Sequence, residues 1–251
     1  MADKTIKNPL RKRILRDIRK EKGKYISIFL FLTFMISIVS GMLVTSLSMM
    51  HTYDDGIETY KLEDGHFSTN SEISVADLQK IADQADSGTA KATIYKQYFY
   101  NFDYTFEGNS NYSIRLYENR EALNTYSIFE GHAPEKDGEL AIDRLFAENN
   151  NLKIGDTLTF DGKDLTICGT VAVPDYSCLF ENNSDSMFSA ATFTMGFVTA
   201  DYFKEFSESK LTYSFAYRFS DRSLDDRASY DASTDLMNTL SEQLAPQGNY
   251  L

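Results

Sequence analysis

The chain has 251 residues, 42% of them hydrophobic, and carries 25 Lys and Arg against 37 Asp and Glu for a net charge of −12. The first 24 residues hold ten of the basic side chains and three acids, residues 25–50 hold no charge, and the remainder holds 15 basic and 34 acidic side chains. The acidic balance therefore describes only the part after residue 50, and an uncharged run of this length argues against a buried core helix of a soluble protein.

Residues 8–24 open with Asn8-Pro9, a helix cap followed by proline at the first helical position. Ile6, Leu10, Ile14 and Ile18 then recur at a spacing of four among Arg11, Lys12, Arg13, Arg16, Arg19, Lys20, Lys22 and Lys24. That pattern predicts a basic amphipathic segment over 1–24, lying along the inner leaflet and attracting anionic lipid headgroups at about 1 kcal/mol per basic residue. The same run suits nucleic acid, but attachment to a membrane argues against that use.

Residues 25–50 form 26 consecutive uncharged positions, which as a helix reach roughly 39 Å, more than the ~30 Å hydrocarbon core of a bilayer. A secretory signal shares the order of basic flank and apolar core, but its core is about 7 to 15 residues long and ends in a small-residue cleavage site. Thr45-Ser46-Leu47-Ser48 is a poor site of that kind, so a transmembrane helix over 25–50 is the favoured reading. The excess of Lys and Arg before it puts the N-terminus in the cytoplasm and residues 51–251 outside. Thr33, Ser37, Gly41 and Thr45 repeat every four residues, and Ser40 shares their arc of roughly 140° at about 100° per residue. Such a small-residue stripe lets helix backbones approach closely in lipid. Ser and Thr are also tolerated in spans simply because their hydroxyls bond back to the preceding turn.

Residues 51–251 are enough for one extracytoplasmic domain. Ser74-Val75-Ala76-Asp77 predicts a capped helix with Leu78, Ile81 and Ala82 on its apolar face. The stretch 89–107, rich in Tyr, Phe, Ile and Thr, predicts one long strand or a hairpin, and 112–118 the next strand. A short strand over 139–143 precedes a helical turn or two over 144–150. Asp161-Gly162 between 157–160 and 165–171 is the strongest hairpin signal in the chain. A strand over 193–199, a helix over 201–206, a strand over 211–219 and a final helix over 225–244, with Leu236, Leu240 and Leu244 on one side, complete an α+β domain.

No P-loop sequence is present, so nucleotide hydrolysis has to come from a partner. His51, His66 and His132 lie apart in sequence, with neither a helical i, i+4 partner nor a neighbouring cysteine, which argues against zinc. Asp54-Asp55, Glu181 with Asp185, and Asp225-Asp226 lack the alternating oxygens and central glycine of a calcium loop. No nucleophile elbow occurs, and neither a cofactor nor a catalytic residue is expected. Cys168 and Cys178 lie on the same, outer side of the span, where a disulfide between them can persist; a buried, unpaired Cys168 in an apolar strand is the alternative.

Four runs form an ordered set: Phe129-Glu130-Gly131-His132-Ala133-Pro134, Gly138-Glu139-Leu140-Ala141-Ile142-Asp143, Leu152-Lys153-Ile154-Gly155-Asp156-Thr157-Leu158, and Leu165-Thr166-Ile167-Cys168-Gly169-Thr170-Val171, with Pro174-Asp175-Tyr176 after them. Behind the apolar helix, and with residues 16–25 matching the basic approach to a first span, this set resembles the extracytoplasmic core domain of FtsX-like and MacB-like ABC transporter permeases. Gly131, Pro134, Gly138, Glu139, Gly155, Asp156, Gly169 and Pro174 are, physically, turn and strand-end residues. Gly131 and Gly138 suit φ > 0, Pro134 stiffens a loop, and Gly155-Asp156 suits a tight turn. The resemblance implies a non-catalytic permease component served by a cytoplasmic ABC ATPase subunit. It also implies further permease spans or a second permease copy beside this helix, and a lipid, lipoprotein, peptide or antibiotic as substrate. Family permeases have at least three more spans after the outer domain, so the chain reads as the N-terminal portion of a permease, a truncated frame or a split subunit. A single-pass receptor with an extracellular ligand-binding domain is the reading from a different class.

Overall fold

The structure is a computed structural model and describes residues 20–85, 90–106, 109–176, 187 and 189–251. The amphipathic segment 1–24 thus falls almost wholly outside the described residues. The chain divides into two compact units, Met1–Asp55 and Gly56–Leu251.

In the first unit, α1 runs without interruption and ends beyond it, spanning Lys22–Thr59 with no buried residue. It is long and apolar enough to cross a membrane. The uncharged run 25–50 lies wholly inside it, and residues 51–59 continue the same helix past the apolar stretch. No glycine or proline punctuates that continuation until Gly56, and Thr52 Oγ1 donates back to Ser48 O at 2.9 Å, a bond that satisfies a hydroxyl without breaking the helix.

The second unit is built on a mixed sheet whose described strands are β1 (Gly65–Thr69), β2 (Ala92–Lys96), β3 (Phe99–Phe106), β4 (Asn109–Glu118), β5 (Ser127–Gly131), β6 (Glu139–Asp143), β7 (Thr157–Phe160), β8 (Lys163–Ala172), β9 (Phe193–Val198) and β10 (Leu211–Phe219). Their order is β1-β10-β3-β4-β9-β6-β8-β5, with β2 also on β10 and β7 also on β8. The pairs β4 with β9 and β6 with β8 are parallel, and the others antiparallel. Helices α2 (Val75–Ala82), α3 (Arg144–Asn149), α4 (Ala200–Phe203) and α5 (Asp226–Leu244) complete an α+β fold.

Side-chain periodicity explains these elements. Along β3, Tyr100, Phe102 and Tyr104 are buried and Asn101 and Asp103 exposed, the period of two that puts alternate residues on one face. Strand β9 is buried at every position because it lies between β4 and β6. On α5, Ala232, Leu236, Leu240 and Leu244 are buried at a spacing of four, and Asp225 caps the helix by accepting from Ala228 N at 2.8 Å. Ser74 caps α2 through Asp77 N at 3.1 Å. The stretch 92–106 is not a hairpin: β2 and β3 follow one another along β10 in a single register, Lys96 opposite Phe215 and Phe99 opposite Thr212, interrupted at Gln97 and Tyr98. Two strands escape the patterns in the sequence. β1 is short, and β5 has no alternation because Ile128 to Gly131 are all exposed on the outermost strand beside β8.

The turn glycines behave as their spacing suggests. Gly131, Gly138 and Gly155 have φ of +78°, +81° and +95°, values L-residues disfavour by about 1–2 kcal/mol. A Cβ on Gly131 would stand 2.2 Å from Cys168 O, whereas one on Gly155 would meet nothing within 4 Å. Gly131→Ala is therefore expected to destabilise the outer unit well beyond Gly155→Ala, whose cost stays near the conformational ~1–2 kcal/mol; comparing the two by urea unfolding checks it, and equal losses would contradict the crowding at Gly131.

Candidate functional site

Three groups of side chains in the second unit join segments far apart in sequence. The first lies where α1 ends. Glu58 accepts from Arg218 Nη2 at 2.8 Å and from Arg222 Nε at 3.0 Å, and Arg222 Nη1 donates to Asp64 at 2.6 Å. Asp64 Oδ2 also accepts from Phe219 N at 2.7 Å. The hydrogen bond from Arg222 is the largest influence holding the Glu58 carboxyl below its ordinary value. Asn124 N and Thr125 N donate to the carbonyls of Lys61 and Tyr60 at 3.1 and 2.9 Å, so the residues just after α1 are bound to the body of the unit by backbone as well as by charge. Exposed pairs of this kind contribute about 0.2–1 kcal/mol each, so the backbone bonds and the shared arginine matter more than any one ion pair.

Beside it, His66 Nδ1 lies 2.6 Å from Glu63, and Asn124 bridges back to Glu63, its amide donating to one carboxylate oxygen and its Oδ1 accepting from Glu63 N at 2.9 Å. The bond to Glu63 raises the His66 pKa above 6.5 against the opposing effect of burial; the Glu63 charge and the more distant Asp175 add to the rise, and Arg115 opposes it. Burial pushes the Glu63 carboxyl up, but His66, Asn124 and Arg120 together leave it lowered.

The second group is buried. Arg120 and Asp175 form an ion pair at 2.6 Å with side chains 4% and 7% exposed. The Arg120 guanidinium carbon lies over the Tyr117 ring, 3.9 Å from its centroid, within reach of a cation–π attraction. Tyr176, next to Asp175, takes a hydrogen bond from Arg115 Nη1 at 2.7 Å. Burial pushes the Asp175 carboxyl up and the Arg120 charge only partly offsets it. Arg120 Nε and Asp175 Oδ1 are buried without a hydrogen-bond partner. This pair ties the single turn of 3₁₀ helix Pro174–Tyr176 to the segment following β4.

The third group gathers the motif glycines around β8. Gly169 has no room for a side chain, since a Cβ there would meet His132 O at 2.4 Å. That absence lets the end of β5 close on β8, and His132 N donates to Cys168 O at 3.2 Å. Glu139 Oε2 accepts from Glu135 N and Lys136 N at 2.8 and 3.1 Å, folding the loop that contains Pro134 onto the start of β6. Asp156 Oδ2 accepts from Lys153 N at 2.8 Å, closing the turn that contains Gly155. These residues are brought together in one region, and each serves the backbone.

One expectation changes. His132 is not without a cysteine: one ligand atom each of His132, Glu139 and Cys168 lies within 4.8 Å of the other two. Sequence spacing hid this because 36 residues separate His132 from Cys168 and only the pairing of β5 and β6 with β8 joins them. Cys168 is a buried free thiol, and Cys178 lies outside the described residues. Thr33, Ser37, Ser40, Gly41 and Thr45 are all exposed along α1, with nothing within 4 Å of a Cβ at Gly41.

No protein-family model matches the chain, and no curated protein matches it. Among solved structures it is similar to the extracellular domain of the noncanonic ABC-type transporter YknZ from Gram-positive bacteria, with 6% identity and a TM-score of 0.36 over 72% of this chain and 95% of that one. It is also similar to the periplasmic region of MacB from Actinobacillus actinomycetemcomitans, with 9% identity and a TM-score of 0.40 over 74% of this chain and 85% of that one.

Arg120→Met leaves Asp175 buried without its cation and is expected to cost about 3–5 kcal/mol, while Arg120→Met with Asp175→Leu recovers much of the loss; denaturant unfolding of both variants measures it. His66→Gln tests the outer pair. A folded-state histidine pKa above the unfolded one gives stability that is complete below the unfolded value and lost as pH rises through the folded value. The melting-temperature gap between wild type and His66→Gln is therefore expected to be wider at about pH 5.5 than at about pH 8.5, on either side of the histidine range.

Proposed function

We propose that this chain is the N-terminal portion of an ABC transporter permease subunit of the mechanotransmitting, FtsX-like and MacB-like type. Its role is to couple ATP hydrolysis by a cytoplasmic partner to movement of the outer domain, and so to export or extract a lipid, peptide or antibiotic. The N-terminus lies in the cytoplasm, α1 crosses the cell membrane, and the domain following it is extracytoplasmic, in keeping with the excess of Lys and Arg before the span.

One observation carries this reading: an apolar helix of 38 residues with no buried side chain, long and apolar enough to cross a membrane and preceded by ten of the basic residues, leads into the domain that carries the motif residues. The ordered turn residues from Gly131 to Pro174 support the same reading through the resemblance they carry. Residues 1–251 hold no P-loop sequence, which supports an ATPase on a separate subunit and a non-catalytic role for this segment. The exposed row of Thr33, Ser37, Ser40, Gly41 and Thr45 is the face that packs against the remaining permease helices or a second permease copy, and lipid covers the other side.

Coexpression with hydrophobic and P-loop-bearing proteins encoded beside it, followed by purification in mild detergent, is expected to recover a complex whose ATPase rate differs from that of the ATPase alone. Gly41→Leu should reduce recovery of the companion helices roughly 5-fold or more, the scale of ~1 kcal/mol in helix packing. Absence of any such complex, with a sensor kinase recovered instead, would favour a single-pass receptor.

A further inference from the structure

Strand β8 carries an irregularity at the point where three elements meet. Leu140 stands opposite Ile167 and Ala141 opposite Gly169, so Cys168 has no counterpart on β6 and forms a bulge. Bulges re-aim a side chain out of the regular alternation and recur beside binding sites. Here the bulge sets Cys168 next to the start of β6, where Glu139 stands, and next to the residue that follows β5, His132.

What remains free on each of the three side chains matches what a metal ion needs. His132 Nδ1 lies 2.8 Å from Ala133 O; a carbonyl only accepts, so Nδ1 carries the proton and Nε2 keeps its lone pair. An imidazole held through its far nitrogen by a backbone carbonyl is the usual outer support of a metal-bound histidine. Glu139 Oε2 is occupied by two backbone N–H groups, which keep the carboxyl ionised below its ordinary value and leave Oε1 for another partner. Cys168 Sγ donates weakly to His132 O at 3.4 Å. The thiol is pushed up to about 11, first by burial and then by the Glu139 charge, so it is a poor nucleophile and a poor redox sensor without a cation beside it.

We propose that His132 Nε2, Glu139 Oε1 and Cys168 Sγ form a binding site for a thiophilic divalent cation, Zn²⁺ by its ligand set. One nitrogen, one carboxylate oxygen and one sulfur suit zinc, and they disfavour calcium and magnesium, which take oxygen ligands. Bonds of about 2.0–2.3 Å in a tetrahedron bring ligand atoms to roughly 3.3–3.6 Å of one another. One ligand atom of each residue already lies within 4.8 Å of the other two, and the half-buried Glu139 side chain and the exposed His132–Ala133 turn shift to close the difference. With three protein ligands the fourth position stays open on the His132 side, to water or to a group from a partner. On binding, Sγ gives up its proton to solvent and coordinates as the thiolate, so affinity rises with pH. The ion joins the ends of β5, β6 and β8.

The test uses the full chain in detergent with Cys178→Ser, so that Cys168 is the sole cysteine. Co²⁺ is expected to produce a near-ultraviolet thiolate-to-metal charge-transfer band that Zn²⁺ abolishes. Cys168→Ser should remove the band, and His132→Gln and Glu139→Gln should each weaken Co²⁺ binding roughly 10-fold or more with an unchanged far-ultraviolet circular dichroism spectrum. No band at millimolar Co²⁺, a band that survives Cys168→Ser, or unchanged affinity in both other variants would overturn the site. These outcomes are independent of whether an ATPase associates.

Discussion

A helix of 38 residues without one buried side chain imposes the constraint from which the rest follows. Ile, Phe, Leu, Met and Val side chains along α1 are roughly half or more exposed, and apolar area left in water costs about 25 cal/mol per Å². The helix is tenable only where something apolar covers it. In the reading proposed above lipid supplies that cover, and the arc of Thr33, Ser37, Gly41 and Thr45 is the part of its surface with the smallest side chains. The same helix then leaves the apolar region still helical and delivers Glu58 to Arg218 and Arg222. The helix thus carries two chemistries along its length, uncharged side chains over 25–50 and an ion-paired carboxylate at Glu58.

The outer unit depends comparably on β8. That strand pairs with β5, β6 and β7, and it does so because Gly169 lacks a Cβ and because a bulge accommodates Cys168. The motif residues read in the sequence as turns are, in three dimensions, the fittings around this one strand. Gly131 and Gly169 allow two backbones to touch, Glu139 caps the loop containing Pro134, and Asp156 closes the turn at Gly155. Their clustering reflects backbone hydrogen bonding, since every buried N–H and C=O must find a partner.

Much of the fold was legible where periodicity or turn chemistry is strong. The cap Ser74, the Asp161-Gly162 hairpin, the strands over 139–143 and 211–219, and the leucine row of α5 follow from local rules. β5 was not legible, because a strand exposed on both faces has no alternation to read, and β1 has only Phe67 and Thr69 buried. The meeting of His132, Glu139 and Cys168 was also hidden, since it depends on strand order and on a one-residue bulge that no local pattern encodes. The Arg120 and Asp175 pair lay beyond reach for the same reason: 55 residues separate its members.

The interruption at Gln97 and Tyr98 has a mechanical meaning. Residues 92–100 and β10 form one ladder, except opposite Tyr213 and Ser214, where the Gln97 N–H still donates to Ser214 O at 2.9 Å. Tyr98 meets Tyr213 and Phe215 there edge to face, at 5.3 and 5.4 Å between ring centroids. A sheet thinned at one rung concentrates its torsional compliance at that rung, and three interlocked aromatic rings set how stiff it is. Twist of the β1, β2 and β10 corner reaches the remaining strands through the two pairs that join β10 to β3, Leu211 with Tyr100 and Thr212 with Phe99.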